Sequence, residues 1–125
     1  MTATLDNSKR LYELTGWGEK YRMDWWIDDG VWGVTMQSDY EGGNEVWQAP
    51  AYDSDYLLEK LPTKIKYDDE NYFLVLWPSR FAEPELWFAA YTDADYVDMP
   101  FLANTDTPAD ALCLLAIKLK EEGVM

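Results

Sequence analysis

Asp93-Ala94-Asp95-Tyr96-Val97-Asp98 sets carboxylates close together along the chain, a spacing that could converge on a divalent cation. An EF-hand loop starting at Asp93 would also need an oxygen ligand where Val97 stands, glycine where Asp98 stands and a bidentate glutamate where Asn104 stands. With these absent the stretch reads as a solvated acidic loop, and no metal site is expected. Asp28-Asp29 and Asp68-Asp69-Glu70 fall where the chain should turn, and turn chemistry alone accounts for them. Paired carboxylates can hydrolyse glycosides, but only when two acids stand at a fixed separation in a cleft, which no spacing in this chain encodes.

Other chemistries lack their carriers. The chain has no histidine, so the usual general base and commonest metal ligand are missing. Its one cysteine, Cys113, sits in the apolar run Ala111-Leu112-Cys113-Leu114-Leu115 and reads as a buried small hydrophobe. There is no phosphate-binding Walker loop, no Gly-x-Gly-x-x-Gly and no Gly-x-Ser-x-Gly. The expectation is a protein that is not an enzyme and carries no cofactor.

The aromatics are a stronger signal. Trp77 and Trp87 fall in apolar runs and are expected in the core. Trp25 and Trp26 are adjacent, and neighbouring residues on a strand point to opposite faces, so one indole of the pair should be exposed. An exposed indole beside Asp24, Asp28 and Asp29 suits a partner-binding hot spot.

The elements that must position these groups follow from caps, turns and periodicity. Asp6-Asn7-Ser8 can cap a helix over about 7–15 that Gly16 closes. Met23–Ile27 and Val31–Met36 flank Asp28-Asp29-Gly30 and read as a hairpin, with a third short strand at Glu45–Gln48 before Pro50. Asp53-Ser54-Asp55 caps a second helix over Tyr56–Leu61, and Pro62 discourages its continuation. Tyr72–Trp77 is an unbroken apolar run of the kind found in a central strand buried on both faces, and Glu85–Tyr91 is its expected neighbour. Thr107-Pro108-Ala109-Asp110 supplies a hydroxyl cap, a first-turn proline and a carboxylate near the positive helix end, ahead of a long apolar helix expected to be deeply packed.

At 125 residues and 48% hydrophobic content the chain has the size and material for one core, and a single domain over 1–125 is expected. No apolar run of signal-peptide or membrane-span length is present, which places the protein in the cytoplasm. Ten basic against 24 acidic residues give −14, a balance that repels nucleic acid and anionic membranes.

Several of these segments together resemble small phage and prophage proteins of the phage ABA sandwich domain family: Ala49-Pro50-Ala51-Tyr52-Asp53-Ser54-Asp55, Leu57–Pro62, Trp87-Phe88-Ala89 and Ala103–Cys113, covering about 44–123. The resemblance implies an α+β fold, a three-layer α-β-α sandwich with a mainly antiparallel sheet and N-terminal, middle and long buried C-terminal helices. It also implies a phage-encoded accessory protein of the bacterial cytoplasm, and it transfers no catalytic residue. The Trp-rich hairpin and the Asp93–Pro100 insertion depart from the family pattern. Asp93, Asp95, Tyr96 and Asp98 therefore join Asp24, Trp25, Trp26, Asp28 and Asp29 as candidate partner-binding residues. The expected partner is a host protein with a basic nucleic-acid-binding surface, which the domain would inhibit in the manner of an anti-defence or anti-CRISPR protein. The alternative is a sponge for a nucleotide immune signal, with Arg22 and Arg80 clamping its phosphates.

Overall fold

A computed structural model describes residues 2–18, 23–28, 31–36, 45–79 and 85–125, with backbone pairing alone for the strand residues before Pro50. The first helix, α1 (Leu5–Thr15), begins two residues before the expected start because Thr4, not the Asp6–Ser8 cluster, is its cap: the Thr4 hydroxyl accepts from the Asn7 amide. Gly16 closes it at φ 68°, a left-handed conformation that glycine adopts without steric cost, and its N–H donates to Tyr12 O at 2.8 Å.

The expected hairpin is present as β1 (Met23–Asp28) and β2 (Val31–Met36), paired antiparallel. The third strand, β3 (Glu45–Pro50), pairs with the other edge of β1, giving a three-stranded sheet in the order β2-β1-β3. Its register shifts between Trp25 and Trp26, where Trp25 faces Ala49 and Trp26 faces Trp47. β3 runs through Pro50 rather than stopping at Gln48. A proline as the terminal residue of an edge strand removes no essential ladder bond.

The second helix, α2 (Ser54–Lys60), starts from Asp53, whose Oδ1 accepts from the Tyr56 amide at 2.8 Å, and gives way to extended backbone at Leu61, the residue before Pro62. Four antiparallel strands follow: β4 (Lys64–Tyr67), β5 (Glu70–Ser79), β6 (Leu86–Thr92) and β7 (Phe101–Thr105), in that spatial order. The chain ends in α3 (Pro108–Glu121), capped by Thr107 with Pro108 in its first turn.

The core lies between the four-stranded sheet and the helices. α3 packs on β6 and β7, and α1 and α2 pack on α3. Leu112, Leu115 and Leu119 on α3 are fully buried, with Leu11 of α1 and Leu57 of α2. Each such side chain contributes roughly 1.5–3 kcal/mol on burial. The sheet's inward face carries Ile65, Tyr72, Tyr91, Ala89 and Ala103.

β5 departs from expectation. It is central in the sheet, but its faces are unequal: Tyr72 is buried whereas Phe73, the next residue, is 43% exposed. The contrast is confined to the strand's first half: from Leu74 to Ser79 residues on both faces are half-buried, short of the full two-sided burial of a parallel central strand. Trp87 packs against the core as expected, but Trp77 points to the opposite, outer face, where it stacks on Phe88 at 5.3 Å between centroids and 11° between planes.

β4 and β5 are joined by a two-residue turn in which Asp68 and Asp69 both have positive φ, 52° and 66°. Such turns match the twist of a hairpin, but they favour Asn-Gly because a Cβ is strained there. Replacing Asp68-Asp69 by Asn-Gly should therefore raise stability by about 1 kcal/mol, seen as a thermal midpoint a few degrees higher; an unchanged or lower midpoint would contradict the strain.

Candidate acidic interface

The antiparallel register brings two acidic segments to one end of the four-stranded sheet. Phe73 of β5 lies opposite Thr92 of β6, so the β4–β5 turn (Asp68, Asp69, then Glu70) and the loop leaving β6 (Asp93–Pro100) emerge side by side. Tyr72 joins them. Its hydroxyl lies 2.7 Å from Asp98 Oδ2 and 3.2 Å from Glu70 Oε2, and its single proton is donated to the nearer oxygen. The phenol is thereby held above its ordinary pKa, chiefly by the hydrogen bond to Asp98 and then by burial and by Glu70.

Asp93 organises its own loop. Its N–H donates to Asp98 O at 3.1 Å, its carbonyl accepts from the Tyr96 amide at 3.3 Å, and its Oδ1 accepts from the amides of Val97 at 2.9 Å and Asp98 at 3.3 Å. This is a carboxylate doing the work of a backbone turn. Tyr96 is consequently held at φ 59°. Among the described residues the non-glycine positions with positive φ are Asp68, Asp69 and Tyr96, all in these two adjacent segments. Strain of this kind persists where surrounding contacts over-determine the backbone, and it concentrates at functional sites.

The end of α3 adds Glu121, its last residue, and Glu122, its C-cap. They line an open cleft of about 410 Å3 with Tyr67, Pro100, Phe101 and Lys118, which ties the helix end to the same pole. Tyr67 meets Phe101 edge to face at 5.0 Å. The Lys118 ammonium donates to Leu102 O, and Arg10 of α1 lies 3.6 Å from Glu121 Oε2, so one carboxylate of this cluster is paired with a half-exposed guanidinium. On the outer face of the sheet a second cleft, of about 420 Å3, is lined by Val75, Leu76, Trp77, Tyr96 and Met99.

Of the residues expected from sequence, Asp93, Asp95, Tyr96 and Asp98 lie at this pole, with Asp95, Tyr96 and Asp98 exposed. Asp24, Trp25, Trp26 and Asp28 lie in β1, whose backbone pairing alone is described. Asp29, Arg22 and Arg80 fall outside the described residues. Asp68, Asp69, Glu70, Tyr72, Glu121 and Glu122 were not expected to share a site with the Asp93 loop; a carboxylate at each hairpin end was the available signal, but only register shows that the ends meet.

Chemically, the arrangement offers hydrogen-bond acceptors and negative potential. Among the described residues no group of three or more acidic or cysteine side chains is placed to hold a metal ion. Cys113 is fully buried, donates to Asn7 O at 3.4 Å and has its thiol pushed up by burial and, secondarily, by Asp110, so it is not poised as a nucleophile. No helix among the described residues is long and apolar enough to cross a membrane. No family model matches the chain, and neither the curated proteins nor the solved structures contain a match to it.

Proposed function

We propose that this domain is a non-catalytic binding protein that presses its acidic pole onto the basic, nucleic-acid-binding surface of a host protein and inhibits it, as an anti-defence or anti-CRISPR protein of phage or prophage origin would in the bacterial cytoplasm. One observation carries the reading: the β4–β5 turn with Asp68, Asp69 and Glu70 and the loop with Asp93, Asp95 and Asp98 emerge at one end of the sheet, tied together by the Tyr72 hydroxyl and braced by Asp93, with Glu121 and Glu122 of the α3 end beside them. Duplex DNA presents one charge per ~1.7 Å, and a rigid cluster of carboxylates competes for the same cationic groups through counterion release. The net charge of −14 also raises the encounter rate with a basic partner by long-range steering. The phage setting and the three-layer form of the fold rest on the family resemblance alone.

The test is capture from bacterial lysate on the immobilised domain, eluted by rising salt. Nucleic-acid-binding proteins should be retained at ~50 mM salt and released by ~300 mM, a span over which contacts of this kind lose orders of magnitude in affinity. Each captured protein should be displaced by duplex DNA. The charge-reversed variant Asp68→Lys/Asp95→Lys/Glu122→Lys should retain none of them. Retention of the same proteins by that variant, or of no nucleic-acid-binding protein by the parent chain, would discard the proposal.

A further inference from the structure

Tyr96 and Val97, at 67% and 82%, are the most exposed large apolar side chains among the described residues. They sit together at the tip of the Asp93–Pro100 loop, and the backbone beneath them is not free to turn them inward. Asp93 braces it through the amides of Val97 and Asp98, and Tyr72 fastens Asp98 to the sheet. The left-handed conformation at Tyr96 would suit glycine or asparagine better, so keeping a large ring there costs the loop local strain. Tyr96 also lines the outer-face cleft, together with Val75, Leu76, Trp77 and Met99. Tip and cleft therefore make a knob beside a hole.

We infer that this loop is a preorganised anchor for a cationic protein partner. Tyr96 and Val97 enter an apolar depression on that partner, an apolar side chain of the partner fills the cleft, and lysine or arginine side chains ringing the depression meet Asp95, Asp98 and Glu70. Charge selects the occupant. The chain carries −14, and carboxylates stand on both sides of the tip, so a second copy would set like charge against like. The inference rests on the acidic-pole reading and adds the apolar contact that turns electrostatic attraction into specific binding. Bracing the loop beforehand removes an ordering cost that binding would otherwise bear.

The probes are two synthetic peptides of equal length and charge, one alternating lysine with leucine and the other lysine with serine, titrated into the protein at low salt. The Lys-Leu peptide should bind at least about tenfold more tightly, as expected for an apolar hot spot. Tyr96→Ser/Val97→Ser should abolish that advantage and leave Lys-Ser binding unchanged. Asp93→Ala, which keeps both apolar side chains but unlocks the loop, should weaken Lys-Leu binding by about threefold or more. Thermal midpoints show that the variants fold, and Tyr96→Asn, suited to the left-handed backbone, is the substitute if the double variant does not. Equal binding of both peptides, or Lys-Leu binding untouched by the tip substitutions, overturns the anchor while leaving the acidic-pole reading intact. Failure of both peptides to bind at low salt overturns the acidic-pole reading and the anchor with it.

Discussion

Replacing Asp110 by alanine should destabilise the protein by about 3 kcal/mol, lowering its thermal midpoint by on the order of 12 °C. Asp110 is 6% exposed, and its Oδ1 accepts from the Thr4 amide at 2.9 Å, the Thr4 hydroxyl at 3.2 Å and the Asn7 side-chain amide at 2.8 Å. It stands in the first turn of α3 while serving the first turn of α1, so one carboxylate faces the positive ends of two helices. Alanine would leave those donors without their acceptor and remove the tie between segments more than a hundred residues apart in sequence. Hydrogen bonds to a charged group contribute about 1.5–3 kcal/mol each, and because Thr4 is exposed and Asn7 half-buried, water recovers part of the loss and leaves a net cost near that of one or two such bonds. Asp110→Asn keeps the shape and part of the acceptor capacity and should cost roughly half as much. Chemical denaturation of the three proteins checks the order; a loss below about 1 kcal/mol for the alanine variant would show that α1 docks through its apolar contacts alone.

Asp110 also shows where reading the sequence stops. Thr107-Pro108-Ala109-Asp110 announces a helix start, and α3 begins there. In sequence Asp110 reads as a carboxylate serving its own helix, whereas in the structure it also holds Thr4, the cap of α1, and Asn7, because nothing local encodes which terminus docks nearby. Gly16 and Asp53 mark helix ends correctly for the same reason that Thr107 does: a cap is a contact within a few residues. β4 and β7 are not legible in the sequence because runs of four and five residues, Lys64–Tyr67 and Phe101–Thr105, give a weak periodic signal, and the second adjoins the Asp93–Pro100 segment, which reads as an insertion. β5 was placed correctly, but its two faces could not be told apart from an unbroken apolar run.

The site divides in the same way. Asp93, Asp95, Tyr96 and Asp98 stand out in sequence as a dense acidic stretch with an aromatic in it. Tyr72 reads as one more apolar strand residue, and Asp68-Asp69-Glu70 as an ordinary turn. Their union follows from the β5–β6 register, a pairing whose consequence for the strand ends is set by the whole sheet. The strain at Asp68, Asp69 and Tyr96 is equally invisible, since each residue is unremarkable until its φ is known. A sequence that obeyed local preference throughout would put Asn-Gly in the turn and a small residue at the loop tip. Departures of that kind are expected where a fold spends stability on a surface.

Above pH 10 the protein should lose stability steadily, its thermal midpoint falling on the order of 8 °C per pH unit. Tyr52 and Tyr91 are fully buried, and burial raises both hydroxyls well above the ordinary 10.0; Tyr52 is raised further by Tyr56. Cys113 is raised above 9.0 by burial and by Asp110. Each group is protonated in the folded protein at a pH where the unfolded chain has released its proton. The raised folded values therefore give stability that is fully present below the unfolded pKa and drains away as pH climbs toward the folded one, from pH 9 for the thiol and pH 10 for the phenols. A group titrating only in the unfolded chain subtracts about 1.4 kcal/mol per pH unit. Halved for solvent screening, the three together subtract about 2 kcal/mol per pH unit. Tyr91→Phe separates this linkage from general repulsion in an acidic chain. It removes the hydrogen bond to Pro62 O, held at 2.7 Å, and so should cost about 1 kcal/mol at pH 7, yet its stability should fall less steeply above pH 10 because one buried phenol no longer titrates. Ultraviolet titration gives the independent count: of the nine tyrosines, the buried ones should ionise only as the fold is lost. If all nine ionise reversibly near pH 10 while the folded signal persists, burial is not holding these hydroxyls protonated and the slope must come from charge repulsion.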